Sequence, residues 1–143
     1  MKRRTLLQAL SFAPLVKFSG DGGKPFGMAE EDRVIYELRI YHCYPGKLPD
    51  VVKRFREHTT KLFERHGLRN VVYWTALDEP MKSSTLYYVL AHPSREAATA
   101  NWKAFQDDTE WQAVKAASEA NGKLVEKIDS TFLELTDFSA RLR

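Results

Sequence analysis

The fold is decided by the stretch Val34-Ile35-Tyr36-Glu37-Leu38-Arg39-Ile40-Tyr41-His42. It is rich in β-branched and aromatic residues, and its middle alternates with a period of two, which is typical of a β-strand. The alternation separates two sets of side chains onto opposite faces: Tyr36, Leu38 and Ile40 on one, and Glu37, Arg39 and Tyr41 on the other. Pro45 and Gly46 supply turn chemistry soon after it. The domain is therefore predicted to begin with a strand.

The segments that follow this strand carry alternating helix and strand patterns. A helix is predicted over residues 49–66 and is ended by Gly67. A second helix begins after the cap residue Ser94 and is broken at Asp107-Asp108-Thr109, where a new cap is available. Three more strands are predicted, over residues 70–77, 85–92 and 128–136. The resulting order, βαββαβ, predicts an α+β fold of the ferredoxin-like type.

A ferredoxin-like unit packs both helices on one face of its antiparallel sheet, so the other face needs a separate explanation. That second face is predicted to carry Trp74, Tyr87 and Val89 alongside Glu37 and Arg39. A contiguous patch of large aromatic residues is costly to leave in water. Two copies are therefore predicted to pair face to face about a two-fold axis, which would bury the aromatic residues and enclose the charged pair in a cavity.

The candidate ligand-binding residues line this predicted cavity. Glu37 and Arg39, two positions apart on one strand, could act as a base and as a partner for a ligand carboxylate. Tyr41, Trp74 and Tyr87 would complete the walls. The alternative is that Glu37 and Arg39 form a purely structural ion pair across the sheet or the dimer interface. The sequence offers no catalytic residue beyond this pair.

Composition and charge limit the other functions. The chain has 143 residues, of which 43% are hydrophobic and 29% charged, which suits one ordered domain. No apolar run reaches the length of a membrane-spanning helix. Residues 1–29 hold five basic residues against one acidic residue, whereas the remainder holds 17 basic and 18 acidic residues. Because the domain itself is nearly neutral, nucleic-acid binding is not predicted.

Residues 1–29 form a leader that differs from the domain at residues 30–143. The leader places Lys2-Arg3-Arg4 before a modest apolar run, and a glycine-rich segment follows. Arg3-Arg4-Thr5-Leu6-Leu7 resembles the core of a bacterial twin-arginine signal peptide. The prediction is therefore a periplasmic or otherwise exported protein. The alternative is a basic tail on a cytoplasmic protein.

The histidine and cysteine positions do not predict a metal or cofactor. The four histidines, His42, His58, His66 and His92, match neither a His-Glu-x-x-His motif nor a zinc finger. His66 is instead expected to form a hydrogen bond near a helix end. Cys43, the only cysteine, is expected to be a small buried side chain. Trp102, with its helical spacing from neighbouring aromatic residues, is expected to belong to the core.

Several motifs in a fixed order carry a resemblance to a known family. They are Tyr36-Glu37-Leu38-Arg39-x-Tyr41, Pro45-Gly46-Lys47-Leu48, Trp102-x-x-Phe105, Trp111-Gln112-Ala113-Val114 and Leu135-Thr136-Asp137-Phe138-Ser139. Over about residues 33–140 the chain resembles a NIPSNAP-family domain. The resemblance implies the dimeric α/β-barrel superfamily, whose members include cofactor-free monooxygenases, haem-degrading enzymes and dye-decolourising peroxidases. Through this superfamily alone, haem ligation by His58 or His66 stays open as an alternative.

Two functions remain open at this point. The first is a NIPSNAP-like homodimer that binds a small molecule without catalysis. The second is a cofactor-independent, monooxygenase-like enzyme that acts on a small apolar or aromatic substrate in the barrel cavity. The resemblance supplies no catalytic set of residues that would decide between them.

Overall fold

Residues 33–142, the part of the chain that this computed structural model describes, form four strands and three helices in the predicted order. The leader lies outside the described residues. The strands are β1 (Ile35–Cys43), β2 (Arg69–Thr75), β3 (Thr85–His92) and β4 (Val125–Leu133). Helix α1 consists of the consecutive segments Leu48–Arg54, Phe55–Thr59 and Thr60–Arg65, and the helices α2 (Arg95–Asp107) and α3 (Thr109–Ser118) follow β3. A short 3-10 turn, Met81–Ser83, lies between β2 and β3.

The four strands form one antiparallel sheet in the order β2-β3-β1-β4. The first strand therefore lies inside the sheet, between the third strand and the last. Tyr36 pairs with Ala91 on one side and with Leu133 on the other. This arrangement confirms the ferredoxin-like α+β prediction.

Three predicted helix boundaries are confirmed by their local geometry. Ser94 accepts a hydrogen bond from the backbone N–H of Ala97 at 3.0 Å and begins α2. Asp108 caps α3 by accepting from two backbone N–H groups, at 2.7 and 3.1 Å. Gly67 follows α1 with φ of +74°, a conformation that glycine adopts without steric cost.

Strand β2 ends at Thr75, two residues earlier than predicted, and two larger differences occur in β4 and α1. Strand β4 begins and ends three residues earlier than expected, because its pairing with β1 runs from Val125 opposite Cys43 to Leu133 opposite Tyr36. Helix α1 contains a π-helical turn, Phe55–Thr59, in its middle. The Thr59 hydroxyl donates to the Arg54 carbonyl at 3.2 Å, which gives that carbonyl a partner within the widened turn.

The main core lies between the sheet and the helices and is strongly aromatic. Phe63 of α1 is almost fully buried, and its ring centroid lies 4.9 Å from that of Phe105, 5.3 Å from that of Trp102 and 6.1 Å from that of Tyr88. Edge-to-face and tilted arrangements of this kind add to the burial of apolar area. Trp102 packs against this core as predicted.

The assignment of the two faces of β1 was wrong. Glu37, Arg39 and Tyr41 point toward the helices, where Tyr41 belongs to the main core. The other face of the sheet, here called the open face, consists of side chains opposite one another across the strands: Leu38, Ile40, Val72, Trp74, Tyr87 and Val89. The charged pair therefore does not share a face with the aromatic residues, because its partners lie in the helix layer.

The open face is covered at one end only. There Val34, Val71 and Val72 pack against a small buried cluster, and Leu142 of the C-terminal segment lies beside Tyr36 and Val71. At the other end Trp74 remains 51% exposed. Within residues 33–142, no helix has the length and apolar character needed to cross a membrane.

Candidate functional site

A buried carboxylate with four donors forms the most elaborate polar site of the sheet. We call it the Glu37 centre, and it consists of Glu37, Arg39, His92, Trp102 and Ser130. One carboxylate oxygen, Oε1, accepts from Arg39 Nη1 at 2.6 Å and from the Ser130 hydroxyl at 2.7 Å. The other, Oε2, accepts from Trp102 Nε1 at 2.8 Å and from His92 Nε2 at 2.9 Å. The Glu37 side chain is only 2% exposed.

The guanidinium of Arg39 is held from three directions. Its Nη1 bonds Glu37, and its Nε donates to the Tyr88 hydroxyl at 2.9 Å. Its Cζ lies 4.3 Å from the Trp102 ring centroid, within the range of a cation–π contact. Arg39 is therefore fixed in place rather than free to swing toward a ligand.

The strand register and one helix cap bring these residues together. Glu37 and Arg39 share a face of β1 because they are two residues apart. Strand β4 places Ser130 directly opposite Arg39, and His92 ends β3. Trp102 reaches the centre from α2, whose start is set by the Ser94 cap.

The hydrogen bonds decide the ionisation of Glu37. Burial alone raises its pKa, but the donors His92, Trp102, Arg39 and Ser130 together outweigh burial and lower the pKa from 4.5 to about 2. Burial also disfavours the charge of Arg39, whereas neighbouring Tyr88, Tyr41 and Glu37 raise its pKa. The centre is therefore an ion pair at neutral pH.

This geometry limits the chemistry of the Glu37 centre. A carboxylate that already accepts four hydrogen bonds and has a pKa of about 2 is a poor base. Because an ionised carboxylate can only accept, His92 must donate from Nε2, and its buried Nδ1 has no partner among the described residues. The structural ion pair, which the sequence left as an alternative, fits the observed contacts.

The five predicted cavity residues lie on two sides of the sheet. Glu37, Arg39 and Tyr41 lie beneath the helices, with the Tyr41 ring centroid 5.7 Å from that of Phe55. Trp74 and Tyr87 lie on the open face, opposite each other on β2 and β3. The prediction that all five residues line one cavity is therefore wrong, because they lie in two separate environments on opposite faces of the sheet.

Three members of the Glu37 centre were missed by sequence reasoning. His92, Trp102 and Ser130 lie 55, 65 and 93 residues from Glu37 along the chain. Trp102 carried a signal, since a buried indole N–H needs an acceptor, but its helical spacing pointed only to the core. Nothing in the sequence around Ser130 marks it as a partner.

Each histidine of the chain lies beside one carboxylate. His66 bonds Asp108 at 2.6 Å at the end of α1, which confirms the predicted hydrogen bond, and His42 bonds Asp129 at 2.8 Å. Within residues 33–142 no group of three or more histidine, cysteine or acidic side chains is placed to hold a metal ion. Cys43 is buried as predicted, and burial raises its pKa although the charge of Arg54 opposes the rise.

Solved structures of other proteins share this fold. The structure of a NIPSNAP-like domain protein from Burkholderia xenovorans shares 17% identity with a TM-score of 0.66, over 77% of this chain and 91% of that one. A NIPSNAP family protein from Agrobacterium tumefaciens shares 23% identity with a TM-score of 0.64, over 74% and 96% of the two chains. At these identities the structures show a common fold.

The sequence comparison identifies the family itself. No curated protein sequence matches this chain. The model of the NIPSNAP family, however, matches residues 36–140, which include all four strands apart from the first residue of β1, and all three helices. The chain therefore belongs to the NIPSNAP family, as its motifs predicted.

Proposed function

We propose that this protein is a homodimer that binds a small ligand between two open faces. The observation that carries the proposal is the uncovered aromatic end of the sheet, where Trp74 is half exposed beside Tyr87 and Ile40. These three side chains form one row across β2, β3 and β1. Val72, Val89 and Leu38 form the adjoining row.

A second copy suits this surface because a two-fold axis would set two identical apolar rows against each other. Sheets that pack face to face bury the side chains of both inner faces in one core. The helix layer covers only the opposite face, so it leaves the row of Trp74, Tyr87 and Ile40 to a partner. A small apolar or aromatic ligand would fit between Trp74 and Tyr87 of the two copies.

The Glu37 centre favours binding over catalysis. The monooxygenase-like alternative uses the Glu37 carboxylate or Arg39 at the substrate, but the carboxylate already accepts four hydrogen bonds and Arg39 is held by Glu37 and Tyr88 beneath the helices. The open face itself offers aromatic and aliphatic contacts at its centre. Asp129, opposite Ile40 on β4, is bonded to His42 and to Lys127.

Replacing Trp74 by glutamate is expected to convert the dimer to a monomer of 16.5 kDa. The half-exposed position tolerates a carboxylate in the single protomer, whereas the dimer would bury that charge without a partner. Light scattering measures the mass of each protein. Native mass spectrometry of freshly purified protein should detect a retained ligand in the wild-type dimer and not in the Trp74→Glu variant.

Ala104→Glu is the matched control, because Ala104 is exposed on α2 in the helix layer. This variant should remain a dimer and keep the ligand. A monomeric wild-type protein, or a dimer that survives Trp74→Glu unchanged, would contradict the proposed assembly.

We propose further that the leader exports the protein as a folded domain. Its paired arginines, Arg3 and Arg4, support this proposal. Replacing both by lysine is expected to retain the precursor in the cytoplasm of a host with a twin-arginine pathway, as fractionation and immunoblotting would show. Lys17→Arg is the charge-matched control within the leader, and unchanged envelope delivery of the double variant would exclude this route.

A further inference from the structure

A cavity of about 550 Å³ lies in the helix layer between α1 and α3. On the α3 side its wall consists of short side chains, among them Ala113, Val114 and Ala117. On the α1 side the wall is polar and includes Lys53 and Arg54. We call this cavity the Arg54 groove. It lies on the side of the sheet opposite the open face, so a dimer formed through the open face leaves the groove accessible.

The Arg54 side chain is the unusual member of this wall, because it is 95% buried yet incompletely bonded. Its Nη1 donates to the Ser118 hydroxyl at 3.1 Å and lies 3.7 Å from a carboxylate oxygen of Glu119. Its Cζ lies 5.2 Å from the Trp111 ring centroid. The Nε–H is buried with no hydrogen-bond partner among the described residues.

An unmet donor on a buried guanidinium points to an acceptor that is supplied from outside the chain. Leaving a buried charged donor without an acceptor is costly, and native proteins usually supply one. A carboxylate matches the planar N–H edge of a guanidinium and can accept two parallel hydrogen bonds from it. The groove gives such a group access to Arg54, since Arg54 forms part of the groove wall.

The charges around the groove disfavour a dianion. Lys47, Lys53 and Arg54 contribute three positive charges to the wall, Asp50 and Glu57 contribute two negative charges, and the Glu119 carboxylate near Arg54 adds a third. Because these charges balance, a second negative charge on the ligand gains no net attraction from the groove, whereas one carboxylate suffices to accept from the Arg54 guanidinium. The aliphatic wall of α3 adds a surface for a short apolar body.

The π-helical turn begins at the residue that follows Arg54. This turn spans Phe55–Thr59 and carries Glu57 and His58, which also line the groove. Single π-helical turns within α-helices occur frequently at functional sites. The turn therefore directly follows the residue that holds the unmet donor.

We propose that the Arg54 groove binds the carboxylate of a small aliphatic acid, with Arg54 as its principal partner. The acid head accepts from the guanidinium, Lys53 lies at the rim, and the aliphatic body packs against Ala113, Val114 and Ala117. This inference is independent of the homodimer and of the ligand proposed between the open faces.

Titration of the full-length protein with butyrate tests this proposal by NMR. Butyrate should shift the Arg54 Nε–H resonance in a saturable manner, whereas butyramide, which has the same shape without the charge, should not. Inorganic phosphate should bind at least about tenfold more weakly than butyrate. No saturable butyrate shift at millimolar concentration, or tighter binding of phosphate, overturns the proposal.

Two alanines on α3 provide matched variants that leave buried Arg54 unchanged. Ala117→Leu fills the groove and should weaken butyrate binding by at least about tenfold. Ala116→Leu adds the same group at an exposed position outside the groove wall and should leave the affinity unchanged. Equal butyrate affinity in the two variants overturns the proposal, and the oligomeric state of both should remain that of the wild type.

Discussion

Replacing Glu37 by glutamine is expected to lower the free energy of unfolding by about 3–5 kcal/mol. The substitution keeps the shape of the side chain but removes the negative charge that faces Arg39. It also replaces one carboxylate oxygen by an amide N–H₂ group, which then faces either the donors Trp102 Nε1 and His92 Nε2 or the donor Arg39 Nη1 beside the Ser130 hydroxyl. Arg39, with a side chain only 15% exposed, would then lack its counter-charge. Urea unfolding followed by tryptophan fluorescence measures the loss.

Glu134→Gln is the control for this prediction. Glu134 forms an ion pair with Arg33 at 4.0 Å, but both side chains are more than two-thirds exposed. Exposed pairs contribute little, so the control should change the free energy of unfolding by less than about 0.5 kcal/mol. Similar small losses in the two variants would mean that the contacts of the Glu37 centre do not stabilise the fold.

Acid is expected to destabilise the wild-type protein by about 3 kcal/mol through Glu37 alone. The pKa of Glu37 is lowered from 4.5 to about 2 in the folded protein, so the unfolded chain takes up a proton first as the pH falls. The stabilisation by Glu37 is therefore complete above about pH 4.5 and is lost progressively down to about pH 2. Urea unfolding across this pH range measures the loss.

The Glu37→Gln variant isolates this contribution. A hydrogen bond with His66 lowers the pKa of Asp108, and a hydrogen bond with Lys127 lowers the pKa of Asp129. Part of the acid sensitivity therefore remains in the variant. The difference between wild type and variant should nevertheless shrink by about 3 kcal/mol between about pH 4.5 and about pH 2. A difference that stays constant across this range would show that Glu37 has an ordinary pKa in the folded protein.

The order of the elements could be predicted because local signals determine it. The alternation in β1, the glycine after α1 and the caps at Ser94 and Asp108 each act within a few residues. The limits of β4 could not be predicted in the same way. They depend on pairing with β1, whose residues are distant in sequence, and the Glu126-Lys127 pair within β4 resembles a loop when taken alone.

The prediction of which face of β1 meets the helices was wrong for a related reason. Period-two alternation shows that Glu37 and Leu38 point in opposite directions, but it does not show which direction leads to the helix layer. Charged residues ordinarily face water, and that rule fails here because Trp102, His92 and Ser130 supply donors to Glu37 from three other elements. Partners so distant in sequence leave no local trace at Glu37.

The position of β1 inside the sheet sets the earliest time at which the domain can fold. Glu37 is synthesised well before Ser130, its partner 93 residues later, and β4 is the last strand of the sheet to leave the ribosome. At about 5–20 residues per second, β1 spends several seconds without one of its two neighbouring strands. Contacts between such distant residues also form slowly. Export of the nascent chain during that interval would carry an unfolded chain that has to pair β1 with β4 after export, whereas a route that accepts folded domains would act only after β4 has joined β1.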